Sequence, residues 1–345
     1  LVRSRGLGDV YKRQGFAGMA VALSLKSFNP SLPILVVDSE SKFIFKPLMY
    51  EVLSKEIRMW EFAPEFSNIF SDVGITFLRN CLKQIKFNEK ILEFRDDLQI
   101  SYQYLVICTG SVPNCFSIKG VDENCFFFNN INDLNKLKSI LAKSNKSISP
   151  LKLFIVGGGP SGVEIACKIN DIYKDKFEIN IVERSNEILS KNKIFNREEA
   201  EKALEMRKIN VFLSSSVKEV SEQKISCAND YGIKDLDQDI VIWTAGVKSN
   251  LPYLDNEIPK INGRIVVNDK FQIEKNMNCF AIGDISIIKG MEDLPLTAQV
   301  AIQEGNHLAR NLELLNHDKD LLPCLLYTSD AADEGLGVDL GGRRI

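Results

Sequence analysis

The stretch Leu153-Phe154-Ile155-Val156-Gly157-Gly158-Gly159-Pro160-Ser161-Gly162 narrows the fold more than any other part of this chain. An apolar run ends in Gly-x-Gly-x-x-Gly and passes into the helical pattern Val163 to Ile169, the strand, turn and helix of a βαβ nucleotide-binding unit. The first glycine permits the tight turn, the second lets the backbone approach a pyrophosphate, and the third allows the helix to pack closely. The helix N-terminus offers N–H donors to the anion. A second apolar run, Ile179-Asn180-Ile181-Val182, ends in Glu183, about twenty residues beyond Gly162, where an acidic side chain accepts from ribose hydroxyls. Gly157, Gly159, Gly162 and Glu183 are therefore candidates for holding NAD(P)H. Glu183 favours NADH by repelling a 2′-phosphate, whereas Arg184 beside it can accept one, so both nucleotides stay open.

The same pattern occurs near the start of the chain, as Gly15-Phe16-Ala17-Gly18, the helical run Met19 to Leu25, and the strand Ile34-Leu35-Val36-Val37 ending in Asp38. Gly15 and Gly18 take the second and third glycine positions, while Arg13 stands at the first and no apolar strand precedes it. Two later runs complete a flavin pattern. Tyr104 to Cys108 reads as a buried strand whose turn, Thr109 and Gly110, lies beside a cofactor. Cys279 to Ile282 is another, and Asp284 after Gly283 is placed to hydrogen-bond a ribityl chain. Asp284 also reads as a helix cap. Gly15, Gly18, Asp38, Thr109, Gly110, Gly283 and Asp284 are the candidates for FAD. Thr297 and Ala298, opening the last helix, join them because backbone donors at a helix N-terminus stabilise an anionic reduced ring.

The polar run Ser4 to Gln14 sits where a buried strand is expected, and Cys324 to Glu334 is equally out of character. Asp9 to Gln14, DVYKRQ, can be encoded by GATGTGTATAAGAGACAG. The reverse complement of that string, shifted by one base and extended by one, reads CLLYTS, the residues from Cys324 to Ser329. We expect residues 1–14 and 324–345 to be translated sequencing adaptor around an insert from about Gly15 to Pro323, and such segments do not enter fold reasoning. Gly6-Leu7-Gly8 is accordingly not taken as a phosphate loop. With Arg13 in place of a glycine, the chain as written is expected to bind FAD weakly or not at all.

Composition removes several other classes. At 345 residues, 45% of them apolar, the chain can bury the cores of two ordinary domains. A net charge of −3 with scattered Lys and Arg argues against nucleic acid. No apolar run reaches the eighteen or so residues of a membrane span, so a cytoplasmic face is the expectation. The eight cysteines lack CxxC or other metal spacing, and His307 and His317 are the two histidines, so no metal site is expected. His307 reads as surface, and Trp60 and Tyr50 as core or pocket wall.

One nucleotide fold inserted in another, with no CxxC after the first loop, resembles the two-domain NAD(P)H-dependent flavoprotein reductases without a dithiol relay. Within that group the chain resembles the type II NAD(P)H:quinone oxidoreductases, in particular their cyanobacterial and plastid demethylphylloquinone reductase branch. The stretches that carry the resemblance are Phe43 to Leu53 (FIFKPLMYEVL), Met59 to Pro64 (MWEFAP), Glu187-Ile188-Leu189 with Phe195 to Glu198, and Thr297-Ala298-Gln299-Val300-Ala301-Ile302-Gln303. The last is similar to that family's quinone-site motif, AQxAxQ. Gln299 and Gln303 are four residues apart and project from one helix face, so two amides can meet a quinone carbonyl while Val300, Ala301 and Ile302 pack inward or line an apolar slot. An ordinary polar helix face has the same pattern. The resemblance further implies that Glu164 lies toward the nicotinamide and acceptor side, where it is a candidate for proton relay or simply a carboxylate at a helix N-terminus. Lys46, before Pro47, is a candidate for stabilising charge on the reduced ring.

The expected architecture is α/β, with an FAD domain from residues 15–120 and 265–323 enclosing an NAD(P)H domain at 121–264, and two parallel sheets. The expected reaction passes hydride from NAD(P)H to FAD and two electrons to a naphthoquinone-type acceptor such as demethylphylloquinone. A membrane quinone is then the partner, with peripheral membrane contact through a C-terminal region of the family that this chain does not carry, and a homodimer is left open. Two other readings remain: a reductase of a small iron-sulfur protein, which shares both folds without needing the glutamine pair, and a non-catalytic redox-sensing nucleotide-binding protein.

Overall fold

Branched apolar residues fill Leu151–Val156, Phe177–Val182 and Ile240–Trp243, and such runs suit strands buried on both faces. They form the centre of a five-stranded sheet in the order Asn210–Phe212, Phe177–Val182, Leu151–Val156, Ile240–Trp243, Cys125–Phe127, every neighbouring pair parallel. Helices Ile131–Ser144, Pro160–Tyr173 and Ile194–Met206 connect them. Strand order reverses beside Leu151–Val156, because Phe177–Val182 lies on one side and Ile240–Trp243 on the other. Ligands of open α/β sheets bind beyond the carboxyl ends of the strands at such a switch point. An antiparallel three-stranded sheet, Ser216–Val220, Lys224–Asn229 and Gly232–Asp237, completes this unit, and Val217, Val220 and Ile225 join Val156, Val241 and Trp243 in one core.

The computed structural model describes residues 15–144, 147–255 and 258–324. The sheet just given belongs to a unit of residues 45–62 and 113–247, which interrupts a second unit made from 15–44, 63–112 and 248–324. The adaptor reading of residues 1–14 and 325–345, and with it Arg13, lies outside the described residues. Cys324 lies inside them: it is buried, and its N–H donates to the Asp269 carbonyl at 2.6 Å.

These units place several segments differently from the sequence boundaries. Residues 45–62 pack with the nucleotide unit, where Tyr50 lies 5.1 Å from Phe128, Lys138 donates to the Val52 carbonyl at 3.4 Å, and Lys168 pairs with Glu56 at 2.7 Å. Residues 113–120 go with it. Residues 248–264 belong to the other unit, since Tyr253–Leu254 pairs with Leu82–Lys86 and Asn250 N–H donates to the Gly110 carbonyl at 2.9 Å.

In that unit Leu35–Asp38 pairs in parallel with Thr76–Arg79, and Leu105–Ile107 in parallel with Asn276–Ala281. Among the described residues each of Leu35–Asp38 and Leu105–Ile107 has this one strand partner. The sheet is mixed rather than wholly parallel: Lys260–Ile261, Arg264–Val267, Gln272–Ile273 and Asn276–Ala281 run antiparallel in succession. Connections of two to four residues close hairpins, whereas a parallel crossover needs a dozen or more residues. Phe66, Phe70, Phe94, Phe271 and Phe280 are fully buried in its core, each worth roughly 1.5–3 kcal/mol of apolar transfer.

Helix Phe16–Phe28 lies against helix Ala298–Asn316. Gly305 makes that approach feasible, because a Cβ there would stand 2.6 Å from the Ala20 Cβ and 2.7 Å from the Ala17 carbonyl. The contact holds the N-terminus of the last helix in place.

Candidate functional site

The glycine turn after Leu151–Val156 has three different local environments. Gly157 has φ +113°, a left-handed conformation that favours glycine, and its N–H donates to the Val182 carbonyl at 2.9 Å. Gly159 has no heavy atom within 4 Å of where a Cβ would stand, so its backbone is open to a ligand. At Gly162 a Cβ would lie 1.8 Å from the Gly157 carbonyl, so only glycine lets this helix close onto the turn. Thr244, from the strand across the switch point, locks the turn by donating to the Val156 carbonyl at 2.9 Å. Sequence reading missed it because its role depends on a neighbour 88 residues away.

Glu183 ends Phe177–Val182 and is fixed by two backbone donors, Gly158 N–H at 2.6 Å and Ser185 N–H at 2.7 Å. The carboxylate stands against the glycine turn, with each oxygen keeping acceptor capacity for a hydroxyl. Arg184 is exposed. Glu187 and Arg197, from two of the separate stretches that carried the family resemblance, form an ion pair in this unit.

Glu164 follows one turn into helix Pro160–Tyr173. The Ser161 hydroxyl donates to the Tyr50 phenol, and Tyr50 donates to Glu164. Burial pushes the Glu164 carboxyl up, the Tyr50 hydrogen bond partly offsets this, and Glu51 pushes it up further. Burial and then the nearby Glu164 charge raise the Tyr50 phenol. Glu51 keeps Oε2 buried with no hydrogen-bond partner. Tyr50 is thus joined to a titrating group rather than a passive wall. Lys46 is exposed, and its ammonium donates to Asn129 Oδ1 at 2.8 Å. Trp60 is 66% exposed, so of the two readings given to it, core or pocket wall, the core is excluded.

In the other unit, Gly15 caps helix Phe16–Phe28 with open space at its Cβ position, and Gly18 is buried in that helix. Asp38 is buried at the end of its strand and accepts from Glu40 N–H at 2.8 Å. Thr109 is buried with its hydroxyl lacking a hydrogen-bond partner, and Gly110 turns the chain at φ +64° with open space beside it. Gly283 has φ +74°, and its N–H donates to Glu304 Oε2 at 2.6 Å. Asp284 accepts from the Ser111 hydroxyl at 2.6 Å, which fixes one oxygen and leaves the other available. Thr297 caps helix Ala298–Asn316, its hydroxyl accepting from Val300 N–H at 3.3 Å. An orphaned hydroxyl at Thr109, a capped helix N-terminus and glycines open at the Cβ position fit a large polar cofactor with phosphates.

Gln299 is exposed and Gln303 half-buried on that helix, while Ala301 is buried. Ile302 is 37% exposed, so it does not pack inward. Arg264, Asp284, Thr297, Val300 and Glu304 line one cavity at the head of the helix. Arg264 and Glu304 were missed, although a glutamate on the buried stripe of Ala301, Leu308 and Leu312 is a visible anomaly in the sequence. His307 also differs from its surface reading: its Nε2 lies 3.1 Å from the Leu322 carbonyl and its ring packs edge-on to Phe271.

Residues 14–305 match the sequence model of the pyridine nucleotide-disulphide oxidoreductase family. Demethylphylloquinone reductase NdbB of Synechocystis is 29% identical, the match covering 95% of this chain and 86% of that protein. The chloroplastic/mitochondrial alternative NAD(P)H-ubiquinone oxidoreductase C1 of Arabidopsis thaliana is also 29% identical, over 90% of this chain and 67% of that protein. The solved structure of NDH2 from Plasmodium falciparum in complex with NADH superposes with a TM-score of 0.82, covering 94% of this chain and 87% of that one. At 18% identity that likeness bears on the fold.

Proposed function

Because this chain belongs to the pyridine nucleotide-disulphide oxidoreductase family, whose cofactors are FAD and NAD(P)H, we propose that it is an NAD(P)H:quinone oxidoreductase acting on a naphthoquinone such as demethylphylloquinone. The observation that carries the acceptor class is the Thr297-capped helix presenting Gln299 and Gln303, exposed and half-buried, four residues apart. A relative named demethylphylloquinone reductase supports it.

In this reading the Gly157 turn and the open backbone of Gly159 hold the dinucleotide pyrophosphate, and Glu183 accepts from the ribose hydroxyls. FAD, when bound, supplies the two-electron step between nicotinamide and acceptor. Asp284, oriented by Ser111, accepts from a ribityl hydroxyl, while Gly15, Gly18 and Asp38 cradle the adenosine side with Thr109 and Gly110 at the turn. The N–H groups after Thr297 aim at developing negative charge. Gln299 and Gln303 donate amide hydrogens to a quinone carbonyl and so fix its orientation. Glu164 holds a proton more tightly than an exposed glutamate, with Tyr50 setting its position. Lys46 acts as a fixed positive charge braced by Asn129. Contact with a membrane quinone is peripheral in this account, and no helix among the described residues is long and apolar enough to cross a membrane.

Replacing Gln299 and Gln303 together by alanine tests the acceptor. Two lost hydrogen bonds of about 1 kcal/mol each should lower naphthoquinone turnover by about tenfold or more. Anaerobic flavin reduction by NADH should change little. Unchanged quinone turnover in that variant would point to another acceptor, such as a small iron-sulfur protein.

A further inference from the structure

Helix Ala298–Asn316 buries Ala301, Leu308, Ala309 and Leu312, and Glu304 lies on the same stripe at 5% exposure. Its Oε2 accepts from Gly283 N–H, tying the helix to the turn that carries Asp284. A glutamine carbonyl would accept that hydrogen bond equally and would not ionise. The bond therefore explains the side chain's length but not its acidity.

Titratable groups face Glu304 from three other elements, two of them charged and the third a thiol that burial keeps neutral. Arg264 comes from strand Arg264–Val267, Asp284 from the turn, and the Cys324 thiol from the segment after the helix. Arg264 attracts and Asp284 repels the carboxylate, and with burial as the largest cause the carboxyl is pushed up to about 7. Arg264 has its own Nε buried without a hydrogen-bond partner, and burial lowers the guanidinium's pKa. All of these except the thiol line the cavity headed by Thr297. A buried acid, a partly desolvated cation and a helix N-terminus around one small cavity respond as a group to any charge placed beside it.

We propose that Glu304 is the charge-compensating group of the redox site, binding a proton when negative charge arrives beside this cavity and releasing it when the charge leaves, with Arg264 setting the balance. The inference rests on the reading that the flavin lies against Asp284 and Thr297. When the flavin is reduced, a hydride carrying two electrons leaves the dihydronicotinamide, the flavin gains one negative charge, and one solvent proton moves to the Glu304 carboxylate. When the quinone is reduced, it takes that hydride and one further proton from solvent. Glu304 then returns one proton to solvent, so charge in the cavity is balanced in both halves of the cycle.

The test is proton uptake during anaerobic reduction with NADH, followed with an indicator dye in weak buffer from pH 5 to 9 at excess FAD. Flavin potential is measured over the same range. Wild type should show an inflection near pH 7 and extra proton uptake above it. Glu304→Gln, which keeps the bond to Gly283, should lose both while retaining FAD, and Arg264→Met should move the inflection to higher pH. Identical uptake curves for wild type and Glu304→Gln, with FAD bound in each, would overturn the proposal alone. A free-flavin potential in both proteins would overturn the flavin placement and the proposal with it. An inflection unmoved in Arg264→Met would remove Arg264 from the account.

Discussion

Burying Glu304 carries a pH-dependent cost. Its carboxyl is raised from 4.5 to about 7 in the folded protein. Below about pH 4.5 the acid is neutral in both folded and unfolded chains, so nothing is lost. As pH rises toward 7 the unfolded chain releases its proton while the folded one retains it, and stability falls, levelling off above the folded value. At about 1.4 kcal/mol per pH unit the loss is on the order of 3 kcal/mol. Glu304→Gln should therefore melt at the same temperature as wild type near pH 4 and progressively higher than wild type up to pH 7 to 8. Parallel melting curves at every pH would show that Glu304 does not titrate in this range. At this scale the glycines were legible, because Gly157 and Gly162 occupy backbone positions that other residues cannot. Glu183 was legible from its spacing. Glu304, Arg264, Thr244 and Ser111 were not singled out, since each owes its role to a partner brought close by folding.

At the scale of elements, the last helix is positioned by its fit to Phe16–Phe28 rather than by its own sequence. Gly305→Val would force two Cγ methyls into the space held by Ala17 and Ala20. Overpacking of this kind costs about 2–3 kcal/mol. Urea unfolding should register that loss, and FAD affinity should fall with it because Thr297 and Ala298 ride on the same helix. Full stability in Gly305→Val would mean the helices separate without consequence. The βαβ pattern from Leu151 to Val182 and the helix and strand from Phe16 to Asp38 were readable because apolar strand, glycine turn and apolar helix pattern are local signals. The short antiparallel strands between Lys260 and Ala281 and the docking of residues 45–62 on the nucleotide unit were not. Two-residue strands such as Gln272–Ile273 carry no periodicity, and residues 45–62 choose their unit through Tyr50, Lys138 and Lys168, contacts made at long range.

For the whole molecule, one nucleotide unit interrupts the other, and the interrupted one has strands Leu35–Asp38 and Leu105–Ile107 with a single strand partner each among the described residues. Arg13 stands at the first position of the Gly-x-Gly-x-x-Gly spacing completed by Gly15 and Gly18, so Arg13→Gly is expected to tighten FAD binding in a fluorescence titration. The nucleotide unit has its glycine turn complete at Gly157 to Gly162. The central claim is electron transfer from NAD(P)H through FAD to a naphthoquinone. Its most direct test is anaerobic stopped-flow absorbance at the flavin band, using the Arg13→Gly form at excess FAD, first with NADH and then with a naphthoquinone. Bleaching by NADH and rapid return of the oxidised band on adding quinone is the predicted result. A flavin that bleaches and stays reduced when quinone is supplied would contradict it.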